Sequence, residues 1–468
     1  MTEKKNAKNV KNTDKNIIKI KKSTQKKIKR RENKKLEIVS KCNKKITKTT
    51  KEDIDILNKI NEFNTNGKKT IVYFVDSFYP VIDGVVAVID NYAKYMSKFY
   101  NVVVCSPKHK KKTYVAEKYF VLSSDSVFVK KQGYDLAFPQ LDSKFQNYIS
   151  LLKIDLIHVH SPFNMGSFGL ELAKKRHIPS VTTFHSQFKQ DFYKATNSKL
   201  LSTFLSGMVI KNYDKSTITI TMNDFSAGVM REYGLKRKDV QIVPNATDLI
   251  FKEFDLGFEK QVINKYGLQT EKFNILFIGR FVKVKNVYLI LDVLKELFKL
   301  NKNFQFIFMG YGPEEEKMKK IINENGMEKY FVFTGKVLNG DEKAIIIKNS
   351  DLLFFPSVYD TDGIVKIESA CYSVPTLCLE NTGASSGIIN NETGFIEKND
   401  INKLANRLDF LIKNVDFVQK IGKNAKDRLY ITWEDVGNNL KNIYEKLFNL
   451  KNLKSIKNKN KKSNKIEK

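Results

Sequence analysis

The chain has 468 residues, 41% hydrophobic and 12% aromatic, which is more than one ordinary core takes up and suits two domains. Its net charge of +31 is concentrated at the ends: residues 1–50 carry +15 and residues 451–468 carry +7, leaving +9 for the middle. No apolar run approaches the roughly 20 residues that span a bilayer, and the four cysteines (Cys42, Cys105, Cys371, Cys378) lack metal-type spacing, which excludes a disulfide framework and points to a reducing compartment.

In chain order, residues 1–68 come first, a basic, Lys- and Asn-rich stretch that buries too little apolar surface to offset its ordering entropy and reads as a disordered tail. Residues 451–468 read the same way. Three explanations stand for this charge. A coding bias toward Lys, Asn and Ile ranks first and contact with anionic lipid headgroups second. Nucleic-acid binding ranks last, because no RRM, KH or zinc-finger signature accompanies the lysines.

The folded pattern opens with "TIVYFVDSFYPVIDGVVAVIDNYAKYM", a strand, a Pro-containing loop and a helix from about Val85. Short apolar strands follow in "YNVVVCSP", "IDLIHVHSP", "SVTTFHS", "STITIT" and "VQIVPN", with a helix in "LELAKKRHIP". The pattern restarts at "FNILFIGR", followed by the amphipathic "NVYLILDVLKELFKL". "FQFIFMG" and "PEEEKMKKII" repeat it, with Pro313 suited to a first helical turn and three Glu near the positive helix end. "FVFTG", "DLLFFPS" and "TLCLE" complete the second series. Continuous apolar strands alternating with helices imply parallel sheets covered on both faces. The fold class is therefore α/β, two doubly wound domains facing across a cleft, over 69–255 and 256–432, with a helix over 433–450 that can cross back to the first domain.

Ligands of open parallel sheets sit beyond the carboxyl ends of the strands, and the candidate residues all lie there. Gly84 can let a phosphate approach the backbone; the bland alternative is a turn glycine. Arg280 and Lys285 in "GRFVKVKN" can clamp a diphosphate from two directions, whereas Lys283 reads as a solvated loop cation. His185 closes "TTFHSQF", where a histidine can donate to a substrate but is more often structural. His158 and His160 alternate in "HVHSP", so their side chains are expected on opposite faces, against a shared metal. His109 and His177 read as surface residues. In "FFPSVYDTDGIVKIESACYSVP", a strand, a loop and a helix ending before Pro375 place Asp360 in the loop and Glu368 in the helix. On spacing alone Asp360 reads better as an N-cap, and Glu368 stays undecided.

Taken in order, "DSFYPVIDGVVAVIDNYAKYM", "IDLIHVHSPFNMG", "IPSVTTFHSQF", "IVPNATD", "FIGRFVKVKN", "MGYGPEEE" and "FFPSVYDTDGIVKIESA" resemble the retaining glycosyltransferases of family 4, which have the GT-B fold. The resemblance covers roughly residues 70–450. "TFHSQFKQDFYKATNSKLL" and "PSVYDTDGIVKIESACYSVPTLCLE" are similar to the branch that includes diacylglycerol glucosyltransferases. The resemblance implies that Arg280 and Lys285 hold the donor diphosphate, Glu368 the nucleotide ribose, Asp360 the sugar hydroxyls and Gly84 the phosphates across the cleft. It further implies that His185 contacts the donor sugar and that the backbone of Asp362, Gly363 and Ile364 adds phosphate donors. Four positions depart from the family pattern: Asp360 for a glutamate, Asp362 for an apolar residue, Ser386 for a glutamate and Asn223 for a serine.

The expected reaction is transfer of a hexose, glucose from UDP-glucose, to a membrane lipid such as diacylglycerol, with no metal and no other cofactor. The expected place is the cytoplasm, peripheral at the inner face of the membrane, with an anionic surface as partner and no obligate protein partner. Transfer to a capsule or surface glycan is the enzymatic rival. A basic nucleic-acid- or membrane-binding protein without catalysis is the alternative from another class.

Overall fold

The computed structural model describes residues 50–463 apart from 82–83, 110–113, 130–133, 337 and 339. The described residues fall into two separate units, one up to Asn66 and one from Gly67 onward. In the first, the helix Lys51–Thr65 starts at a reciprocal cap: the Thr50 side chain accepts from the Asp53 amide and the Asp53 carboxylate accepts from the Thr50 amide at 2.8 Å. The stretch read as a tail over 1–68 therefore contains a helix. Its signal is that cap followed by Ile54, Leu57 and Ile60, which the lysine content masks. Residues 1–49, with Cys42, lie outside the described residues.

The second unit holds two parallel sheets. The first contains β1 (Thr70–Phe74), β2 (Asn101–Pro107), β3 (Phe120–Ser124), β6 (Leu156–Val159), β7 (Ser180–Phe184), β8 (Ile218–Thr221) and β9 (Val240–Ile242), in the order β3-β2-β1-β6-β7-β8-β9. A hairpin of β4 (Ser126–Val129) and β5 (Tyr134–Ala137) lies apart from it. The second sheet contains β10 (Phe273–Ile278), β11 (Phe304–Met309), β12 (Phe331–Phe333), β13 (Leu352–Phe354), β14 (Thr376–Leu379) and β15 (Phe395–Glu397), in the order β12-β11-β10-β13-β14-β15. In both sheets the first strand lies between the second and the fourth, so the order reverses there. The inner strands β1, β2, β6, β7, β10 and β11 are buried at every residue and carry no charged side chain, which is why they read as largely apolar runs. The expected pair of doubly wound sheets is present.

The last helix, Trp433–Ser463, runs on through the residues read as a disordered C-terminal tail as far as Ser463. Extending a helix costs less than nucleating one, so a packed amphipathic segment can carry a Lys-rich continuation. Val436, Leu440, Ile443, Tyr444, Leu447 and Phe448 join the core of the first sheet. The helix lies against the helix Gly84–Met96 closely enough that a Cβ at Gly437 would stand 2.3 Å from the Tyr95 ring. The Tyr95 hydroxyl donates to Asn438 at 2.7 Å beside it.

Candidate active site

The order of the second sheet reverses between β10 and β13, and the loops after those strands carry most of the expected site. Lys285 follows β10 in a short turn; its Nζ stands 2.6 Å from both carboxylate oxygens of Asp360. Both side chains are about four-fifths buried, at 19% and 21% exposure. Asp360 is therefore a partner of Lys285 and not a helix N-cap. The cap position of the helix Ile364–Cys371 is Gly363, with φ +79°, and no side chain bonds the first amides. A Cβ at Gly363 would also meet the Phe355 ring at 2.9 Å, so glycine is required there on two counts.

The loop that carries Asp360 lies directly on the first half of the unit. The Thr361 hydroxyl donates to the His185 carbonyl at 3.0 Å, and the Thr361 carbonyl accepts from Asn223 Nδ2 at 2.8 Å. Gln187 donates to the Tyr359 carbonyl at 3.1 Å, and the Tyr359 hydroxyl bonds Asp191. This one loop carries Asp360 with its partner Lys285 and touches His185 through that residue's backbone carbonyl, while the His185 ring bonds His160. Asn223, one of the four departures, also caps the helix Asp224–Glu232 through the Ser226 amide at 2.9 Å.

Glu368 is on the second turn of the Ile364–Cys371 helix and is paired with Lys343 at 2.7 Å. The pair is 11% and 13% exposed, and Glu368 Oε2 is buried without a hydrogen-bond partner among the described residues. Asp362 pairs with Lys366 one turn on, at 2.8 Å, with both side chains below a tenth exposed. Lys366 also donates to the carbonyl of Ser386 at 2.6 Å, so two more of the departures meet at one cation. Asp362 Oδ2 is left without a partner among the described residues. Across from it stands Tyr92 of the helix Gly84–Met96, whose phenol is pushed up by burial and then by the Asp362 charge. Ile364 packs against the core of the first half.

Arg280 directly follows the second-sheet strand β10 and Gly279; it is exposed and makes no ion pair among the described residues. Gly84 opens its helix, exposed, with nothing within 4 Å of a Cβ built there, so packing does not require a glycine at that position.

The histidines correct one expectation. His158 and His160 are not on opposite faces: β6 ends at Val159, alternation stops, and the two rings lie 3.9 Å apart. His158 Nδ1 bonds the Tyr444 hydroxyl of the last helix at 2.6 Å and Nε2 bonds Thr183 at 2.7 Å. His160 Nδ1 meets His185 Nε2 at 3.1 Å, and His160 Nε2 has no partner among the described residues. Among those residues no group of His, Cys, Asp and Glu has metal-binding geometry.

Residues 82–251 match the model described as Glycosyltransferase Family 4, and residues 258–428 match that of Glycosyl transferases group 1. The chain belongs to the glycosyltransferases. The glycosyltransferase is 25% identical over 368 residues to an alpha-monoglucosyldiacylglycerol synthase of Acholeplasma laidlawii, covering 75% of this chain and 90% of the relative. It is 26% identical over 204 residues to CapM of Staphylococcus aureus, a capsular polysaccharide biosynthesis glycosyltransferase, covering 40% of this chain and 50% of that one. Sucrose-phosphate synthase from Thermosynechococcus elongatus superposes with a TM-score of 0.66 at 16% identity, covering 82% of this chain and all of that one. HepE of Anabaena, solved with UDP and glucose, superposes at 0.62 with 14% identity, over 81% of this chain and all of HepE. These likenesses give the fold, which is GT-B. The reading as a binding protein without catalysis is set aside.

Burial governs the three clustered histidines of the glycosyltransferase. The His185 imidazole is lowered from 6.5 to about 3, and those of His158 and His160 are also held well below their ordinary value. His185 is thus neutral at physiological pH, able to donate or accept one hydrogen bond but carrying no charge. The unfolded chain takes up protons on these side chains as pH falls through 6.5, while the fold resists until far lower, so their contribution to stability is full above 6.5 and is lost below it. Urea unfolding between pH 7.5 and 5.5 is expected to lose up to about 1.4 kcal/mol per pH unit per histidine below 6.5, offset in part by Asp76, whose carboxyl burial raises to about 7 and which therefore favours the fold as pH falls through the same range. A stability flat down to pH 5 would contradict the buried cluster.

Proposed function

We propose that this glycosyltransferase moves glucose from UDP-glucose, with retention, to a membrane lipid acceptor such as diacylglycerol at the cytoplasmic face. The observation that carries the reading is the convergence at one loop of Lys285, Asp360, His185 and the uncapped start of the Ile364–Cys371 helix. It is supported by likeness to a relative named for glucosyldiacylglycerol synthesis and to a GT-B protein solved with UDP and glucose.

Breaking the bond between the sugar and the diphosphate puts charge on the leaving oxygen. Arg280, Lys285 and the amides of Asp362, Gly363 and Ile364 are the groups we assign to meeting it, so no metal is required. Gly84 lets the phosphates approach from the other half, where packing does not call for glycine. The Asp360 carboxylate takes sugar hydroxyls while Lys285 holds it in place, and Glu368 Oε2 takes a ribose hydroxyl. His185 faces the sugar as a neutral donor. The acceptor hydroxyl attacks on the face the diphosphate leaves, and the departing phosphate oxygen takes its proton. The bond to the phosphate breaks as the bond to the acceptor forms, and no enzyme nucleophile is needed.

Full-length chain, UDP-glucose and diacylglycerol in mixed micelles should release UDP and yield a glucosylated lipid. No turnover with any nucleotide sugar would overturn the proposal. Transfer to a glycan but not to a lipid would favour capsule or surface-glycan synthesis instead, the reading that likeness to CapM supports.

A further inference from the structure

The helix Lys199–Ile210 has its polarity reversed over its first two and a half turns relative to an ordinary surface helix. It buries Ser202 and Ser206, each 1% exposed, and turns Leu200, Phe204 and Met208 outward at 87%, 64% and 52%, with Ile210 at its end joining the core. Ser202 and Ser206 satisfy their hydroxyls on carbonyls of their own helix, so they need nothing from the core and contribute little to it. Leu200, Phe204 and Met208 recur every fourth residue, which puts them on one face of the helix. A face of this kind exposed to water costs free energy unless something apolar covers it.

The charges around the face indicate what covers it. No acidic residue occurs between Asp191 and Asp214, while Lys194, Lys199 and Lys211 flank the apolar row. Lys199 and Lys211 are exposed at the two ends of the helix. An apolar face bordered by lysines matches the boundary between acyl chains and anionic headgroups. The preceding helix Phe188–Thr196 begins three residues after His185, and its Asp191 bonds Tyr359 of the site loop. Asn212, just past the reversed helix, donates to the Pro162 carbonyl at 2.8 Å, next to Phe163, which is itself 37% exposed. The face is thus separated from the site loop by one helix, Phe188–Thr196, which packs against the reversed helix. Among the described residues no helix is long and apolar enough to cross a membrane, so the contact is with one leaflet.

We propose that the face formed by Leu200, Phe204 and Met208 docks the enzyme on an anionic lipid leaflet, with Lys199 and Lys211 on the headgroups. The inference rests on the lipid-acceptor reading and says where the acceptor-bearing surface meets the protein.

The test is co-sedimentation of the full chain with phosphatidylcholine vesicles containing phosphatidylglycerol, at low salt and at 0.5 M salt. High salt screens adsorption by charge alone, including that of the basic ends, but leaves insertion of apolar side chains in place. The wild type is expected to keep sedimenting at high salt, and the Leu200→Ser, Phe204→Ser, Met208→Ser triple variant to lose at least about tenfold in partition. Because those side chains are exposed, its unfolding midpoint should not fall. As a second reading that needs no loss of function, Phe204→Trp should shift its emission to the blue when vesicles are added. Equal partition of wild type and triple variant, or no emission shift, overturns the proposal. So does a dimer in the absence of lipid that the triple variant abolishes while vesicle binding persists. Helix-dependent vesicle binding without glucosyl transfer to lipid would keep the docking face and sink only the acceptor reading.

Discussion

Arg280→Ala is expected to lower kcat by about 10²- to 10³-fold, the usual cost of removing one preorganised donor from a developing negative charge. Stability should stay within about 0.5 kcal/mol of the wild type, because the guanidinium is exposed and makes no ion pair among the described residues. The contrast with Lys285 is useful. Lys285 already neutralises Asp360, so its replacement disturbs the carboxylate as well as the diphosphate, whereas Arg280 has no task in the fold that its loss would confuse. Steady-state release of the nucleotide from UDP-glucose, together with a thermal melt, separates the two effects. An unchanged kcat would remove Arg280 from the reaction.

Glu368→Ala should act in two ways at once. Loss of a charged hydrogen-bond acceptor for the ribose weakens donor binding by about 10- to 150-fold. It also leaves Lys343, only 11% exposed on its side chain, as an unpaired buried cation at a cost of about 3 kcal/mol. The two consequences come apart in the double variant Lys343→Ala, Glu368→Ala, which should regain most of the stability and none of the affinity. Isothermal titration with UDP and urea unfolding on the same samples read them independently. Affinity restored in the double variant would mean that Glu368 serves Lys343 and not the nucleotide.

The inner strands were legible because burial on both faces keeps charged residues out of them, even where β7, β10 and β11 bury Thr182, Asn274 and Gln305. β3, the β4–β5 hairpin and β15 escaped notice for the opposite reason: β3 and β15 end their sheet as partly exposed strands, and β4 and β5 pair only with each other. Arg280, Lys285, Asp360 and Gly363 could be found from their places just past strand ends. The partner of Glu368 could not, since Lys343 sits on another helix 25 positions earlier. Lys366 could have been found, because it follows Asp362 by one helical turn. The histidine pair was misplaced by extending strand alternation one residue beyond the strand, and the helix Lys51–Thr65 was lost in the average charge of its surroundings.

The chain crosses between the halves twice, and the crossings touch. Near residues 245–255 it passes from the first sheet to the second, and near 430–433 it returns; Thr247 and Thr432 pair there, with the Thr247 amide on the Ile431 carbonyl at 3.2 Å. The Tyr430 hydroxyl adds a bond to the Leu249 carbonyl at 3.0 Å. Two adjoining connections leave the halves fewer ways to move against each other than a single one would, and the hydrogen bonds of Gln187, Asn223 and Thr361 at the site loop tie them at a second place.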